Sequence, residues 1–216
     1  MFVVKTKPVD TYGEVLESAI KWLEYLGETG VADLPLPPTG EVRTLRRLRE
    51  RIALCRRCSL GGERSNPVAG AGGPNARLVF ICGTPAAGEE GALLERLIRA
   101  MGLEWSDAYI TSIVRCRPHD GRSVGPEEVR RCLGYLEEEI DVISPVVVVA
   151  LGDEAAEALL GRRAGVTLRG RFHPYRSTLL LATHDPVALL KKPALKRETW
   201  EDMKRVMELL SGETDG

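Results

Sequence analysis

The cysteines are the first residues whose type and spacing could do chemistry. Cys55-Arg-Arg-Cys58 is a C-x-x-C, and Cys116 and Cys132 follow far downstream. A zinc site usually shows two compact cysteine pairs, and Cys116 and Cys132 lie too far apart in sequence to form the second. The C-x-x-C alone also reads as a pair of half-buried thiols. Four thiolates drawn from scattered positions are compatible with an iron–sulfur cluster, which needs cysteine ligation but no single spacing. Arg56, Arg57, Arg115, Arg117 and Arg131 crowd these cysteines. Cationic surroundings favour the thiolate form and balance the negative charge of a thiolate-ligated cluster. The fifth cysteine, Cys82, ends a predicted strand and reads as a small buried hydrophobe.

Positioning such groups requires a scaffold, and the pattern after Arg77 supplies one. LVFIC (78–82), AYITSIV (108–114), VVVVALG (146–152) and TLLLAT (178–183) are apolar runs rich in Val, Ile and Leu, expected to form buried strands. Helices are predicted between them at GALLERLIRAMG (91–102), Pro126–Ile140 and DEAAEALLG (153–161), with a terminal helix at Glu198–Leu210. Pro126 suits a helix's first turn. Nearly unbroken apolar strands separated by helices predict an α/β class: a three-layer αβα sandwich around a mainly parallel, four-stranded sheet. In such sheets ligands settle outside the carboxyl ends of the strands. The segments to interrogate are therefore Gly83–Glu90, Ser112–His119, Gly152–Asp153 and His184–Lys192. Upstream, Glu14–Leu26 reads as an amphipathic helix and LPLPPTG as a linker, so residues 1–40 form an extension and 41–212 the main domain. An arginine-rich helix over Val42–Leu54 leads into Cys55.

Composition excludes several classes. In 216 residues, 44% are hydrophobic and 28% charged, which suits a globular protein rather than a disordered or membrane-embedded one. The longest apolar run, Val146–Leu151, is far below the roughly 20 residues that cross a bilayer. The N-terminus lacks the marks of a signal peptide, so a cytoplasmic, reducing compartment is expected. A net charge of −1 rules out DNA binding by bulk charge and leaves it to local patches.

The order C-x-x-C, ARLVF and a Pro-containing loop, YITSIVRCRP, a cysteine in the next helix, SPVVVVALGDEAAEALLG, RGRFHPYR and the loop HDPVALLKKP resembles the family 4 uracil-DNA glycosylases over about residues 45–210. The resemblance implies a uracil-DNA glycosylase-like fold, DNA as partner and base excision as activity. It also implies a [4Fe-4S] cluster on Cys55, Cys58, Cys116 and Cys132.

The chain departs from the family's pattern in three motifs. In the first, Cys82-Gly83-Thr84-Pro85-Ala86-Ala87-Gly88-Glu89-Glu90 stands for G-E-x-P-G-x-x-E-D, so the leading carboxylate has become Gly83. The aromatic-bearing segment that follows is deleted between Glu90 and Gly91. In the second, Ser112 replaces an Asn, losing the rigid donor-and-acceptor face that reads a pyrimidine edge. In the third, Asp185 takes the place of a His, with His184 displaced by one position. Gly83, Thr84, Pro85, Ala86, Ser112 and His184 are thereby expected to line the substrate pocket. Asp185 and Glu89 are candidates for positioning water and stabilising the sugar cation. The alternative is that Asp185 caps the loop before Pro186 and Glu89 caps the following helix.

Arg43–Arg57, Arg162–Arg176 and the lysines from Lys191 onward are strongly basic. Arg117, Arg169, Lys191 and Lys192 are the expected DNA contacts. His119 and His173 read as structural or solvated. Three functions stay open: a glycosylase with an altered active site, a catalytically silent DNA-binding or interaction module, and an electron-transfer protein on the same scaffold.

Overall fold

The computed structural model describes residues 44–63, 67–118, 122–161 and 168–212. The expected helix at Glu14–Leu26, the Pro-rich linker and His119 lie outside the described residues.

Helix α1 (Leu45–Ala53) starts where the Thr44 hydroxyl accepts a hydrogen bond from the Arg47 amide, and it buries Leu45, Leu48 and Ile52. Its arginines fall on the other face, the amphipathic arrangement its spacing predicts. A single turn, α2 (Leu60–Glu63), follows the C-x-x-C. The strands are β1 (Ala71–Gly72), β2 (Leu78–Cys82), β3 (Ala108–Ser112), β4 (Val147–Leu151), β5 (Phe172–Tyr175) and β6 (Thr178–Thr183). The longer helices are α3 (Glu89–Ala100), α4 (Pro126–Ile143), α5 (Asp153–Leu160) and α7 (Leu195–Ser211), with a short α6 (Pro186–Lys191) before the last.

The sheet has six strands in the order β1-β3-β2-β4-β6-β5. Its centre, β3-β2-β4-β6, is wholly parallel and consists of the four strands expected from sequence. Two short antiparallel edge strands, β1 and β5, extend it. The four central strands are largely buried on both faces. Val79, Ile81, Val148, Ala150, Leu180 and Ala182 pack with α1, α4 and α5. Leu78, Phe80, Val147, Val149 and Leu181 pack with α3 and α7, where Met203, Val206 and Leu210 form the inward stripe. Among the described residues no helix is long and apolar enough to cross a membrane.

One polar element crosses the first of these faces. Glu139 of α4, 1% exposed, accepts hydrogen bonds from Thr111 Oγ1 at 2.6 Å, Gly70 N at 3.1 Å and Tyr109 Oη at 3.2 Å. Arg115, 2% exposed, places Nη2 2.8 Å from Glu139 Oε2. A buried carboxylate is tolerated only when its oxygens are satisfied in this way, and here it ties β1 and β3 to α4.

Candidate active site and cysteine centre

Three parallel strands end side by side, and the loops leaving them build a cavity. From β2 the chain runs through Gly83-Thr84-Pro85-Ala86 into α3. Arg117, from the loop after β3, fastens that turn by donating from Nη2 to Pro85 O at 2.6 Å and to Glu90 Oε2 at 2.7 Å. From β4 the chain turns at Gly152, whose φ of +91° suits glycine, and enters α5 at once. From β6 it passes His184 and Asp185 into α6, with Asp185 Oδ1 accepting from Ala188 N at 2.9 Å. A Cβ on Gly152 would stand 2.9 Å from Asp185 Cβ, so the glycine admits the aspartate to the cavity rim.

The cavity has a volume of about 170 Å³ and is lined by Gly83, Thr84, Glu90, Asp153, Glu154 and Asp185 among others. It is an anionic site. Burial, then the neighbouring Asp185, raises the Glu154 carboxyl above the usual carboxylate range. The Cys82 thiol in its wall is pushed up to about 12, chiefly by burial and then by Glu90 and Asp185. Cys82 is buried, as its sequence context suggested.

The expected pocket residues divide between two cavities. Gly83, Thr84 and Asp185 line the one just described. Pro85, Ala86 and Ser112 line another of about 270 Å³, together with Glu95, Gly91 and Trp105. Ser112 is buried, and its hydroxyl donates to Val114 O at 2.6 Å. His184 belongs to neither set of lining residues, and its Nε2 lies 3.1 Å from Glu198 Oε2 on α7. Of the acidic pair opening α3, Glu90 reaches the first cavity, whereas Glu89 is exposed and absent from its lining. Arg169 pairs with both Glu198 and Asp202 at 3.0 Å, while Lys191 and Lys192 are exposed. His173 has a structural partner, its Nε2–H donating to Leu168 O at 3.1 Å.

Glu154 and Trp105 were not singled out by sequence reasoning. Glu154 sits in a run that reads as an ordinary helix start. Its signal was positional: a carboxylate two residues past the glycine that ends a central parallel strand.

The other four cysteines fall on the sheet face that α4 covers. Cys116 and Cys132 are buried in the core on that face, and Cys55 and Cys58 pack against it. Cys58 and Cys116 both act electrostatically on Cys132, and Tyr135, one turn beyond Cys132, hydrogen-bonds Cys55. Burial pushes the Cys132 thiol up to about 11, against the pull of the Arg115 amide, whose N–H donates to Sγ at 3.2 Å. The segment carrying the C-x-x-C is pinned to α4 by Arg131 Nη1 to Arg57 O at 2.7 Å and Ser59 Oγ to Glu128 Oε1 at 2.5 Å. The Arg57 guanidinium stacks 4.6 Å over the Tyr135 ring. None of the five cysteines is in a disulfide. Among the described residues, no three Cys, His, Asp or Glu side chains form a group that could hold a metal ion as they stand.

A parallel αβα sheet with a cavity at its strand ends hosts many chemistries, and sequence comparison narrows the class. The family described as the uracil DNA glycosylase superfamily matches residues 69–204. The type-4 uracil-DNA glycosylase of Pyrobaculum aerophilum is 34% identical over 179 residues, covering 74% of this chain and 91% of that protein. That of Sulfurisphaera tokodaii is 30% identical over 186 residues, covering 77% and 84%. The crystal structure of Pedobacter heparinus SMUG2 overlaps 64% of this chain and 76% of that one, with a TM-score of 0.41 and 10% identity. The chain belongs to the uracil-DNA glycosylase superfamily and, within it, to family 4.

Proposed function

We propose that this protein is an iron–sulfur DNA glycosylase that excises a deaminated base, with a base preference shifted away from uracil. Residues 41–212 carry this function, with residues 1–40 as an extension. The observation that supports the reading most is the carboxylate-lined cavity at the ends of β2, β4 and β6, which holds Asp185, Glu154 and Glu90 around the Gly83–Thr84 turn.

Base excision flips a nucleotide out of the stack and breaks its bond from C1′ to the base nitrogen. The transition state is oxocarbenium-like: positive charge grows on the sugar and negative charge on the departing base. A carboxylate wall suits the first of these charges. Asp185 spends Oδ1 on the α6 cap, which fixes its rotamer and leaves Oδ2 for the cavity. Arg117 holds Glu90 and the Pro85 turn in register with it. Three differences from the family pattern bear on the base. Asp185 offers no N–H to an oxyanion where a His would donate one. The Ser112 hydroxyl is committed to Val114 O, so it offers no paired donor and acceptor to a pyrimidine edge. Gly83 brings no side chain of its own.

The test is release of base from single- and double-stranded DNA containing uracil, hypoxanthine or xanthine, scored by alkaline strand cleavage, with Asp185→Ala alongside. Release of a base other than uracil by the wild type, reduced in the variant, is the expected result. The Asp185 cap also favours a second reading, a silent relative that binds DNA. Tight DNA binding without release of any base would establish it.

On the DNA-facing side, Lys191 and Lys192 are exposed and make no ion pair among the described residues, whereas Arg169 is already neutralised by two carboxylates. Each phosphate neutralised contributes about 0.9 to the slope of log affinity against log salt. Replacing both lysines with alanine should reduce that slope by roughly 1.8, measured by fluorescence anisotropy, with no change in base preference.

Cys55, Cys58, Cys116 and Cys132 would hold a [4Fe-4S] cluster. Their chemistry fits: four thiols converge on one region, one accepts a backbone N–H, and arginines surround them. When bound, the cluster supplies covalent cross-links between the C-x-x-C segment, the loop after β3 and α4. The protein's own share is to bury these thiols, lend them the Arg115 amide and pin their loop through Arg131 and Ser59.

A further inference from the structure

Hydrolysis of a glycosidic bond needs a group to take a proton from water, and the cavity's carboxylates are not equally available for it. Glu90 is engaged by Arg117, and Asp185 by the Ala188 amide. Asp153 and Glu154 open α5 side by side and are both exposed, but only Glu154 has an oxygen placed over Gly83. Glu154 lines the same cavity yet makes no hydrogen bond or ion pair among the described residues. Its carboxyl leans over Gly83, and a Cβ built on Gly83 would stand 2.6 Å from Glu154 Oε2 and 3.5 Å from its Cδ. Gly83 is not among the glycines with positive φ, so its backbone would accept a side chain. What the missing side chain provides there is room, and the atom filling that room is a carboxylate oxygen delivered from the neighbouring strand end.

We infer that Glu154 is the catalytic base of this site, seated over the β2 turn by the glycine at position 83. The inference rests on the glycosylase reading. In the step, Glu154 accepts one proton from a water held between its carboxylate and the flipped nucleotide. The water oxygen forms a bond to C1′, and the bond from C1′ to the base nitrogen breaks with both electrons leaving on the base. The base leaves as an anion and takes up a proton, so the products are the free base and an abasic deoxyribose with a hydroxyl on C1′. Burial and Asp185 raise the Glu154 carboxyl, which makes it a stronger proton acceptor than an ordinary surface glutamate.

Single-turnover base release by the full-length, cluster-loaded protein tests this with Glu154→Gln, Gly83→Ala and the double variant. Removing a general base lowers the rate by roughly 10² to 10⁴-fold, so Glu154→Gln should lose activity on that scale with DNA affinity unchanged. Gly83→Ala displaces only the end of a flexible side chain, so it should fold normally and still lose more than about tenfold. In the Glu154→Gln background the same alanine should cost nothing further, because the group it displaces no longer acts. A wild type that releases base and a Glu154→Gln variant within about threefold of it would overturn the inference and leave the glycosylase reading standing. Full additivity of the two substitutions would do the same. A wild type that releases no base from any substrate overturns both.

Discussion

Serine at position 132 is expected to strip the chain of iron and to lower its melting temperature by on the order of 10 °C. Loss of a structural metal site is one of the few single changes that exceed about 4 kcal/mol, and each kcal/mol shifts the melting point of a chain this size by about 2–4 °C. The cause is local. Cys132 sits midway along α4 with its Sγ on the Arg115 amide and its thiol close to Cys58 and Cys116, so in a cluster-bound chain its loss would unlink three segments at once. Anaerobically prepared wild type should carry roughly four irons and four sulfides per chain. Cys82→Ser, a change at the buried thiol beside the cavity, should keep that iron content. A Cys132→Ser protein with full iron, or an iron-free wild type of unchanged stability, contradicts the cluster assignment.

Glu139→Ala should be nearly as damaging, although Glu139 touches neither cavity. It leaves Arg115 buried without its counter-charge and removes the acceptor for Thr111, Tyr109 and the Gly70 amide. Breaking a buried pair by deleting one partner costs about 3–5 kcal/mol. The Tyr109 hydroxyl, held above its usual range first by burial and then by Glu139, should titrate closer to 10 in the variant. Urea denaturation reads the first effect and ultraviolet difference titration the second. Simultaneous replacement of Arg115 by Met should recover part of the loss, because the uncompensated charge goes with it. A midpoint within experimental error of wild type for Glu139→Ala would show that the network does not support β1 and β3.

The parallel core was legible because its strands carry no polar interruptions. β2 and β6 fall where their apolar runs begin and end, and β4 differs by one residue at each side. The edges were harder to read. β1 is two residues in a Gly-rich stretch, and β5 contains Pro174, which an edge strand tolerates because only one side of it is paired. β5 read instead as part of a basic motif. Helix α6 was hidden by its length of six residues, even though the Asp185-Pro186 start carries a capping signal.

The site was half legible for a related reason. Motif spacing marks which loops leave the sheet ends, but it does not say on which side of a turn each side chain falls. Thr84 and Pro85 are adjacent in sequence and line different cavities. Glu89 and Glu90 are adjacent, and a helical rotation of about 100° carries the first outward and the second inward. His184 was displaced by one residue from the family position, and that step turns it to Glu198 on α7. Glu154 escaped notice because its relevance depends on empty space above a glycine on another strand, which no linear pattern records.

The most direct measurement is the mass of an intact oligonucleotide carrying a single hypoxanthine or xanthine, taken after incubation with cluster-loaded protein and before any alkali. A glycosylase leaves the strand whole but lighter by the base, with a hydroxyl in its place, and the free base appears in the filtrate. An oligonucleotide of unchanged mass with uracil, hypoxanthine and xanthine alike, recovered from a demonstrable protein–DNA complex, would contradict the account at its centre.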